Sequence, residues 1–392
     1  MAIFQLIIFG IPLLSLAWWV WADRRLRGLG AGRGWRILLG LAVLSLLVGF
    51  IWVVLGRKTL LVPPIPAAWY ALVLLWGLIF LPLLGVPTMV AWSVGSLVRR
   101  ALRRKTESIP RDPGAGKWTR RQWLGAAAVS LPVVATFGTA AFSMPRLTRF
   151  RVRELTVPIK DLPPALDGMR IVHVTDTHVG KFTRGKVLDD IVAATNRLEA
   201  DLVLFTGDLI DNSIRDLPVA VQMLQRLRSQ AGLFVIEGNH DLFDDPTGFK
   251  NGLRQGGVAL LRNQAATVRV RGVPVQILGI VWSHGDKQTA WNVDQVAALR
   301  DPAAFQILLA HHPHAFDRAA ELGFPLTLAG HTHGGQLMLT PELGAGPAIF
   351  RYWSGLYQKA GRALVVGNGT GNWFPLRLNA PAEIIHLTLL KG

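Results

Sequence analysis

The feature that most constrains this chain is a series of four long apolar stretches before residue 145. Arg36, at the edge of the second stretch, is the only charged residue that falls within them. A helix needs about 20 apolar residues to cross a bilayer, and each stretch reaches that length. A soluble helix this long normally carries a polar face, and none is visible. We therefore predict an all-α transmembrane region in residues 1–145, with about four helices near 2–21, 35–55, 67–98 and 123–142.

Basic residues in the connecting loops predict the orientation of these helices. Loop 22–36 contains five arginines, loop 99–121 contains nine Lys and Arg, and loop 56–66 contains two. Loops rich in Lys and Arg stay on the cytoplasmic side, so the first two are cytoplasmic and everything after residue 143 lies outside. We expect a multi-pass protein of the bacterial inner (cytoplasmic) membrane. Its C-terminal domain would be extracytoplasmic, in the periplasm, and the lipid bilayer would be one partner.

Residues 119–134, TRRQWLGAAAVSLPVV, resemble a twin-arginine export signal, because Arg120 and Arg121 precede an apolar run. Such signals direct a domain across the bacterial inner membrane. The alternative is that the two arginines are the basic flank of an ordinary fourth span. Small residues at 139–141 match a cleavage site, although we expect the segment to be retained. Both interpretations place the C-terminal domain outside.

The positive charge of the chain, +17 in total, is concentrated in the membrane region. Residues 1–142 hold 16 Lys and Arg against 3 acids, whereas residues 143–392 hold 26 against 22. A basic stripe on the globular part, which would indicate nucleic-acid binding, is not evident, so no nucleic-acid partner is expected. The chain has no cysteine, which excludes disulfides and thiolate zinc sites.

From Arg170 onward, short apolar runs alternate with amphipathic stretches. RIVHVTDTH predicts a strand, GKVLDDIVAATNRLEA a helix and DLVLFTGDLI another strand. The middle of this region consists of strands at turn-length spacing, which is typical of hairpins. We therefore predict an α/β domain over residues 146–392, with a mixed sheet or two stacked sheets.

Metal-ligand residues follow five of the predicted strands. In open α/β sheets, ligand sites gather beyond the carboxyl ends of the strands. Each residue set alone is a weak signal, since Asp, Asn and His are common at turns. Their joint occurrence, each after an apolar run, predicts a metal site. The sets are Asp176 and His178; Asp208; Asn239, His240 and Asp241; His311 and His312; and His331 and His333.

Asp, Asn and His ligands without sulfur suit Mn, Fe, Zn or similar divalent ions. Seven of these residues serving as ligands would exceed what one ion needs, which favours two ions bridged by a carboxylate. A pair of ions roughly 3.5–4 Å apart binds the oxygens of a phosphate ester and lowers the pKa of a water held between them. The expected chemistry is attack of hydroxide on phosphorus.

The motifs DTH, GD, GNHD, H before P and GHTH, in this order across residues 168–390, resemble those of the calcineurin-like metallophosphoesterase family. The resemblance implies an αββα sandwich of two mixed β-sheets and two divalent metal ions, with manganese favoured. Asp176, His178 and His333 would hold the first ion and Asp208 would bridge. The second ion would be held by Asn239, His311 and His331, with His311 preferred to His312 because it lies two residues before the proline. His240 would protonate the leaving alkoxide, and Asp241 would orient His240.

The segments HTHGGQ and GNGTGNWFPLRL are similar to those of membrane-associated bacterial phosphodiesterases of this family. Relatives include UDP-2,3-diacylglucosamine hydrolase-like enzymes of lipid A synthesis and enzymes acting on cell-envelope phosphodiesters. The lipid A step is cytoplasmic, so the predicted topology argues against it. Arg377 in the second segment matches the branch pattern and would bind the substrate phosphate or shape the site. The alternative is an ordinary surface arginine.

These patterns favour a membrane-anchored dinuclear-metal phosphodiesterase acting on an envelope or lipid-linked phosphate ester. A first alternative is a non-catalytic membrane sensor or transporter with a ligand-binding phosphoesterase domain. A second is a nuclease, nucleotidase or UDP-2,3-diacylglucosamine hydrolase-like enzyme. The motifs concern only the phosphate and leave the rest of the substrate open.

Overall fold

The structure, a computed structural model, describes residues 2–58, 65–102 and 118–392. Residues 103–117, which form most of the predicted cytoplasmic loop 99–121, lie outside this description. The chain divides into two compact units, Met1–Pro145 and Arg146–Gly392, hereafter the N-terminal and C-terminal units.

Long helices form the N-terminal unit. Within the described residues, three segments are long and apolar enough to cross a membrane: Arg33–Leu55, Ala67–Ala101 and Arg120–Arg146. The segment predicted as the first span lies in a further helix, α1. A π-helical segment, Trp76–Gly85, contains Pro82, whose missing N–H disrupts regular α-helical bonding. The α-helices are α1 (Ala2–Gly28), α2 (Arg33–Lys58), α3 (Ala67–Leu75), α4 (Val86–Leu102) and α5 (Arg120–Ser143).

The twin-arginine-like sequence forms the beginning of α5. The Thr119 side chain accepts a hydrogen bond from the backbone N–H of Gln122, and the Gln122 side chain accepts one from the backbone N–H of Thr119. This capping box satisfies two N–H groups that would otherwise lack partners. Arg120 and Arg121 are therefore the first helical residues, as expected for the basic flank of a span.

Two six-stranded mixed sheets form the C-terminal unit, which confirms the predicted αββα sandwich. The first sheet has the order β1-β12-β2-β3-β4-β5 and the second β10-β11-β9-β8-β7-β6. The strands are β1 (Phe150–Ile159), β2 (Met169–Val174), β3 (Leu202–Thr206), β4 (Leu233–Ile236), β5 (Ala259–Leu260), β6 (Gln264–Val270), β7 (Val273–Gly279), β8 (Phe305–Leu309), β9 (Leu326–Ala329), β10 (Gly355–Lys359), β11 (Arg362–Val366) and β12 (Ala382–Lys391).

Helices cover the outer faces of both sheets. Three pack with the first sheet: α6 (Lys186–Arg197), α7 (Leu217–Gln225) and α8 (Pro246–Gln255). Two pack with the second: α9 (Asp286–Ala297) and α10 (Ala315–Glu321). A short helix, α11 (Ala345–Ile349), follows β9.

The main core lies between the two sheets. Alternate residues of one strand point to opposite faces, so Leu204 of β3 packs in this core while Phe205 packs against the helices. Ile307 and Leu328 of the second sheet pack in the same core, against the inner face of the first sheet. Each such side chain contributes roughly 1.5–3 kcal/mol on full burial. This packing fixes the strand ends that carry the predicted metal ligands.

Candidate metal centre

The predicted ligands lie just beyond the carboxyl ends of five strands. Strands β2, β3 and β4 are parallel neighbours in one sheet, and β8 and β9 are parallel neighbours in the other. In four cases the first ligand stands two residues after the strand, and after β4 it stands three residues on. The residues concerned are Asp176, Asp208, Asn239, His311 and His331.

The backbone at these ligands is strained. Five of the seven predicted ligands adopt positive φ, which is uncommon outside glycine and which Asp and His tolerate better than most residues. Such strain clusters at functional sites, where the surrounding fold holds it in place. The values are 50° at Asp176, 46° at His178, 55° at Asp208, 70° at His331 and 49° at His333.

Two glycines allow the close approach of the loops. A Cβ atom at Gly238 would overlap the carboxylate of Asp208, and one at Gly330 would overlap that of Asp176. The glycines of GNHD and GHTH are therefore required because a larger residue would not fit beside the ligands.

A first group of ligand atoms joins Asp176, His178 and His333, all of them buried. Nε2 of His333 lies 3.4 Å from Oδ1 of Asp176 and 3.0 Å from Nε2 of His178. Both Asp176 oxygens also accept the backbone N–H of His331, at 3.1 and 3.0 Å. Burial raises the pKa of Asp176, but His333 and His178 lower it more, so this carboxyl stays ionised.

A second group joins Asp208, His311 and His331. Nδ1–H of His311 donates to the carbonyl oxygen of Thr206 at 2.7 Å, which leaves Nε2 as the free ligand atom. This Nε2 lies 3.2 Å from Oδ1 of Asn239 and 3.3 Å from Nδ1 of His331. Asn239 is therefore in the same group.

Asp208 lies between the two groups. Its Oδ2 is 3.5 Å from Nε2 of His178 in the first group and 3.2 Å from Nε2 of His311 in the second. Burial raises the pKa of Asp208, but His311 and His178 lower it more, to well below its usual range. An ionised carboxylate in this place can serve both groups.

The residues present fit divalent metal ions. Ligand atoms of each group lie within 4.8 Å of one another, as atoms around one ion must. The set contains imidazole nitrogens and carboxylate or amide oxygens with no sulfur, which suits Mn, Fe or Zn. Two ionised carboxylates and facing imidazole nitrogens, withdrawn from water, are costly to assemble unless a cation balances them.

His240 lies beside the first group and is held by Asp211. Its Nδ1–H donates to the carbonyl oxygen of Asp211 at 2.7 Å, and Oδ1 of Asp211 lies 3.3 Å from the same nitrogen. Burial lowers the pKa of His240, but Asp211 and Asp208 raise it more, to about 9. The imidazole therefore tends to carry a proton. Sequence reasoning missed Asp211, although its position three residues after Asp208 in GDLID was a usable signal.

The orienting role predicted for Asp241 was wrong. The Asp241 oxygens accept the backbone N–H groups of Ile210 and Gly238, at 3.0 and 2.9 Å. Among the described residues, no hydrogen bond joins this carboxyl to the His240 side chain. Asp241 instead fastens the GNHD turn to the loop after β3. Burial and Asp208 raise its pKa to about 8.

Arg377 lies partly buried behind the first group. Its guanidinium donates to Oδ1 of Asn372 at 2.6 Å and to the carbonyl oxygens of Asn368 and Gly371 at 2.7 and 2.6 Å, and it lies 2.8 Å from Nδ1 of His333. Burial lowers the pKa of Arg377 to about 10. These contacts distinguish Arg377 from an ordinary surface arginine. The contacts favour a role in shaping the site over one in binding the substrate phosphate.

Aromatic side chains stand around the two groups. Trp282 lies beside His311 and His331, with ring centroids 5.5 and 5.1 Å apart. On the other side, Phe243 and Trp373 lie 4.6 and 5.9 Å from the His240 ring. His312 belongs to neither of the two ligand groups and lies against His331 and Trp282.

Comparison with known proteins places this centre within a recognised family pattern. The sequence model of the calcineurin-like phosphoesterase family matches residues 169–335. The metallophosphoesterase YkuE of Bacillus subtilis (strain 168) is 30% identical over 292 residues, which are 70% of this chain and 98% of that protein.

Two further relatives are matched over a smaller share of their length. A metallophosphoesterase of Helicobacter pylori (strain J99) is 31% identical over 239 residues, 59% of this chain and 64% of that protein. A transmembrane protein with metallophosphoesterase domain from Bos taurus is 32% identical over 253 residues, 61% of this chain and 56% of that protein.

Proposed function

Since the chain belongs to the calcineurin-like metallophosphoesterase family and is thereby a metal-dependent phosphoesterase, we propose that it is a membrane-anchored phosphodiesterase that uses two metal ions. The observation that carries this proposal is the position of the Asp208 carboxylate between two buried ligand groups. One group would hold the first ion through Asp176, His178 and His333. The other would hold the second through Asn239, His311 and His331.

The bound ions, most suitably manganese and otherwise iron or zinc, would supply charge neutralisation for the phosphate oxygens and a nucleophile derived from water. The protein's contribution is to keep the carboxylates of Asp176 and Asp208 ionised and to hold their geometry through strained, buried loops. Uptake of two cations by such a prearranged site costs little reorganisation.

His240 acts as the general acid. With Nδ1 held by Asp211, its Nε2 is available to the leaving group. As the P–O bond to that group breaks, the Nε2 proton passes to the departing oxygen, so an alcohol leaves and His240 becomes neutral. Asp211 stabilises the protonated form before this step.

The leaving group that His240 protonates is expected to carry an apolar portion close to its oxygen atom. Phe243, whose side chain is 57% exposed, and Trp373 flank His240. Large exposed apolar side chains beside a polar site are suited to an apolar ligand. Together with helices suited to a membrane, this supports an envelope or lipid-linked phosphodiester as the substrate.

The membrane orientation proposed with this function places the C-terminal unit outside the bacterial inner membrane, because the basic loops 22–36 and 99–121 favour the cytoplasm. A twin-arginine export route is compatible with this orientation, whereas the cytoplasmic lipid A step is not. A reporter enzyme that works only outside the cytoplasm should be active when it is fused after Gly392. If a reporter that works only in the cytoplasm is active at the same position instead, the orientation is the opposite of the one proposed.

The experiment that tests the proposed function uses the purified full chain in detergent with manganese. The substrates are bis(p-nitrophenyl) phosphate, p-nitrophenyl phosphate, phosphatidylglycerol in mixed micelles and its deacylated headgroup diester. We expect both aryl and lipid diesters to be cleaved faster than the monoester, and the lipid faster than the deacylated diester.

The variant Phe243→Ser tests the apolar leaving-group side, with Phe142→Ser in the N-terminal unit as a matched control. The first should lower kcat/KM for phosphatidylglycerol selectively, by about tenfold, the size expected for one lost apolar side-chain contact. A preference for nucleotides or for the monoester would contradict the proposed substrate class. Binding of manganese without any turnover would favour the non-catalytic sensor.

A further inference from the structure

One face of α1 changes from apolar to charged along its length. Its residues follow one another at helical spacing, three or four apart, so their side chains lie above one another. The face begins apolar and becomes basic within one turn after Trp19. Its members are Leu16, Trp19, Val20, Asp23, Arg24 and Arg27.

The apolar half of this face forms a groove with α2. The groove has a volume of about 300 Å³ and is lined entirely by apolar residues, among them Leu16 and Trp19 of α1 and Leu41 and Leu44 of α2. A Cβ atom at Gly40 would stand 2.7 Å from Cζ2 of Trp19, so the glycine lets the indole lie against the α2 backbone. Leu16, Leu41 and Leu44 remain 48%, 57% and 55% exposed along the groove.

The basic half forms a second pocket, of about 480 Å³, lined by Trp19, Val20, Asp23, Arg24, Arg27 and Gly28. Asp23 pairs with Arg27 and with Arg36 of α2, each at 2.8 Å. Arg24 is exposed and has no ion pair or hydrogen bond with any described residue. Two arginines against one aspartate leave the lining of this pocket with a net charge of +1.

Trp19 lines both pockets, so the apolar groove and the basic pocket adjoin. From Leu16 to Arg27 the helix rises about 16 Å, at 1.5 Å per residue. A ligand with an apolar chain joined to an anionic phosphate would match this arrangement, with the chain in the groove and the phosphate in the basic pocket. Tryptophan is enriched at the boundary between hydrocarbon and headgroups, which is where Trp19 would stand.

We propose that α1 and α2 bind one anionic phospholipid of the bilayer, with an acyl chain in the groove and its phosphate on Arg24 and Arg27. Basic pockets between membrane helices bind anionic headgroups, and arginine can hold a phosphate with two parallel hydrogen bonds. The net positive charge selects an anionic lipid over a zwitterionic one. The apolar groove selects a lipid over free phosphate. This site lies within the N-terminal unit and uses none of the proposed metal ligands.

The test measures lipid retention by native mass spectrometry of the full chain in detergent. The probes are phosphatidylglycerol and phosphatidylcholine with the same acyl chains, a short-chain phosphatidylglycerol and inorganic phosphate. Arg24→Gln removes the charge without breaking an ion pair. Arg33 is an exposed arginine outside both pockets, so Arg33→Gln makes the same change in charge and serves as the matched control.

We expect one phosphatidylglycerol to be retained in preference to phosphatidylcholine and to the short-chain lipid. Arg24→Gln should weaken its retention about fivefold, the effect of one arginine at an anionic headgroup. Arg33→Gln should leave retention unchanged. Equal retention of both long-chain lipids, equal effects of the two variants, or displacement by inorganic phosphate would each overturn the proposal.

Discussion

At the residue scale, the position of His240 depends on Asp211, whose backbone carbonyl accepts from Nδ1–H and whose Oδ1 lies 3.3 Å from the same nitrogen. Asp211→Asn would keep the shape of the side chain and remove the charge that favours protonated His240. We expect kcat for phosphatidylglycerol, whose leaving alkoxide needs a proton, to fall about 100-fold, at the lower end of general acid contributions, with little change in KM. Steady-state kinetics with saturating manganese would measure this.

Asp216→Asn is a suitable control for that variant. Asp216 lies five residues further along the chain and pairs with Arg184 at the surface. Its substitution should leave kcat unchanged. If both variants lose activity equally, or if Asp211→Asn retains full activity, Asp211 does not position the general acid.

Arg377 is the second residue whose removal should have a specific effect. Arg377→Gln would leave Oδ1 of Asn372 and two backbone carbonyl oxygens beside His333 without their donor. Groups that orient a metal ligand typically contribute 10- to 100-fold to metal affinity. We expect manganese to bind at least about tenfold more weakly to one of its two sites.

Isothermal titration of the metal-free chain would measure this affinity independently of activity. Arg254→Gln, on the exposed face of α8, provides the matched change of residue type. Unaltered manganese affinity in Arg377→Gln would leave the arginine with a purely structural role.

At the scale of elements, the sequence was sufficient to predict where the ligands gather. Strands β2, β3, β8 and β9 are short buried runs, and each is followed by Asp or His close to a glycine or a proline, so the site could be predicted without knowing how the sheets pair. The family resemblance and the two-sheet fold were confirmed. The pairing of β1 with β12 could not be predicted. It places Phe150 opposite Ala382, and these residues are separated by most of the sequence of the C-terminal unit.

Asp211 was missed, and the orienting role was given to Asp241, for a similar reason. Both aspartates stand near the ligands in sequence, and only the tertiary packing shows that Asp241 turns towards backbone N–H groups. The burial of Arg377 likewise depends on how the loop 368–380 folds back against His333. Local patterns carry no information on these long-range contacts.

One ion-pair cluster links α10 to the second sheet and leads to a prediction about pH. Asp317 of α10 accepts hydrogen bonds from Tyr352 and from Lys359 of β10, both at 2.9 Å, and pairs with Arg351. Burial raises the pKa of Asp317, but Lys359 and Tyr352 lower it more. A lowered pKa means that the stabilisation is present above about pH 4, the usual value, and is lost as the pH falls through the folded-state pKa.

Asp317→Asn should therefore lower the free energy of unfolding by about 1 kcal/mol at pH 7, allowing for solvent screening. In a unit of this size that corresponds to a fall in melting temperature of roughly 2–4 °C. The difference from wild type should shrink as the pH is lowered below 4. Asp190→Asn, at a more exposed pair on α6, should have a smaller effect. A difference that is independent of pH would exclude this electrostatic origin.

At the scale of the whole molecule, the two units suit two solvents. The N-terminal helices expose large apolar side chains, such as Leu38, Leu41 and Ile51, in numbers that water would penalise and a bilayer would accept. The C-terminal unit buries its apolar residues between and around two sheets and gathers its candidate metal ligands at one edge. The sequence therefore combines membrane attachment with phosphoesterase chemistry in separate units.

The most direct measurement of this chemistry follows metal content and hydrolysis together in the full chain. Metal would be removed with a chelator, manganese titrated back, and bound ions and cleavage of bis(p-nitrophenyl) phosphate recorded for wild type, Asp208→Asn and Asp190→Asn. We expect two ions per chain in wild type and in Asp190→Asn, with activity appearing as the second ion binds. In Asp208→Asn, both ions should bind more weakly and cleavage should be lost. Undiminished cleavage in the chelator, or two tightly bound ions and full activity in Asp208→Asn, would contradict a two-metal site bridged by Asp208.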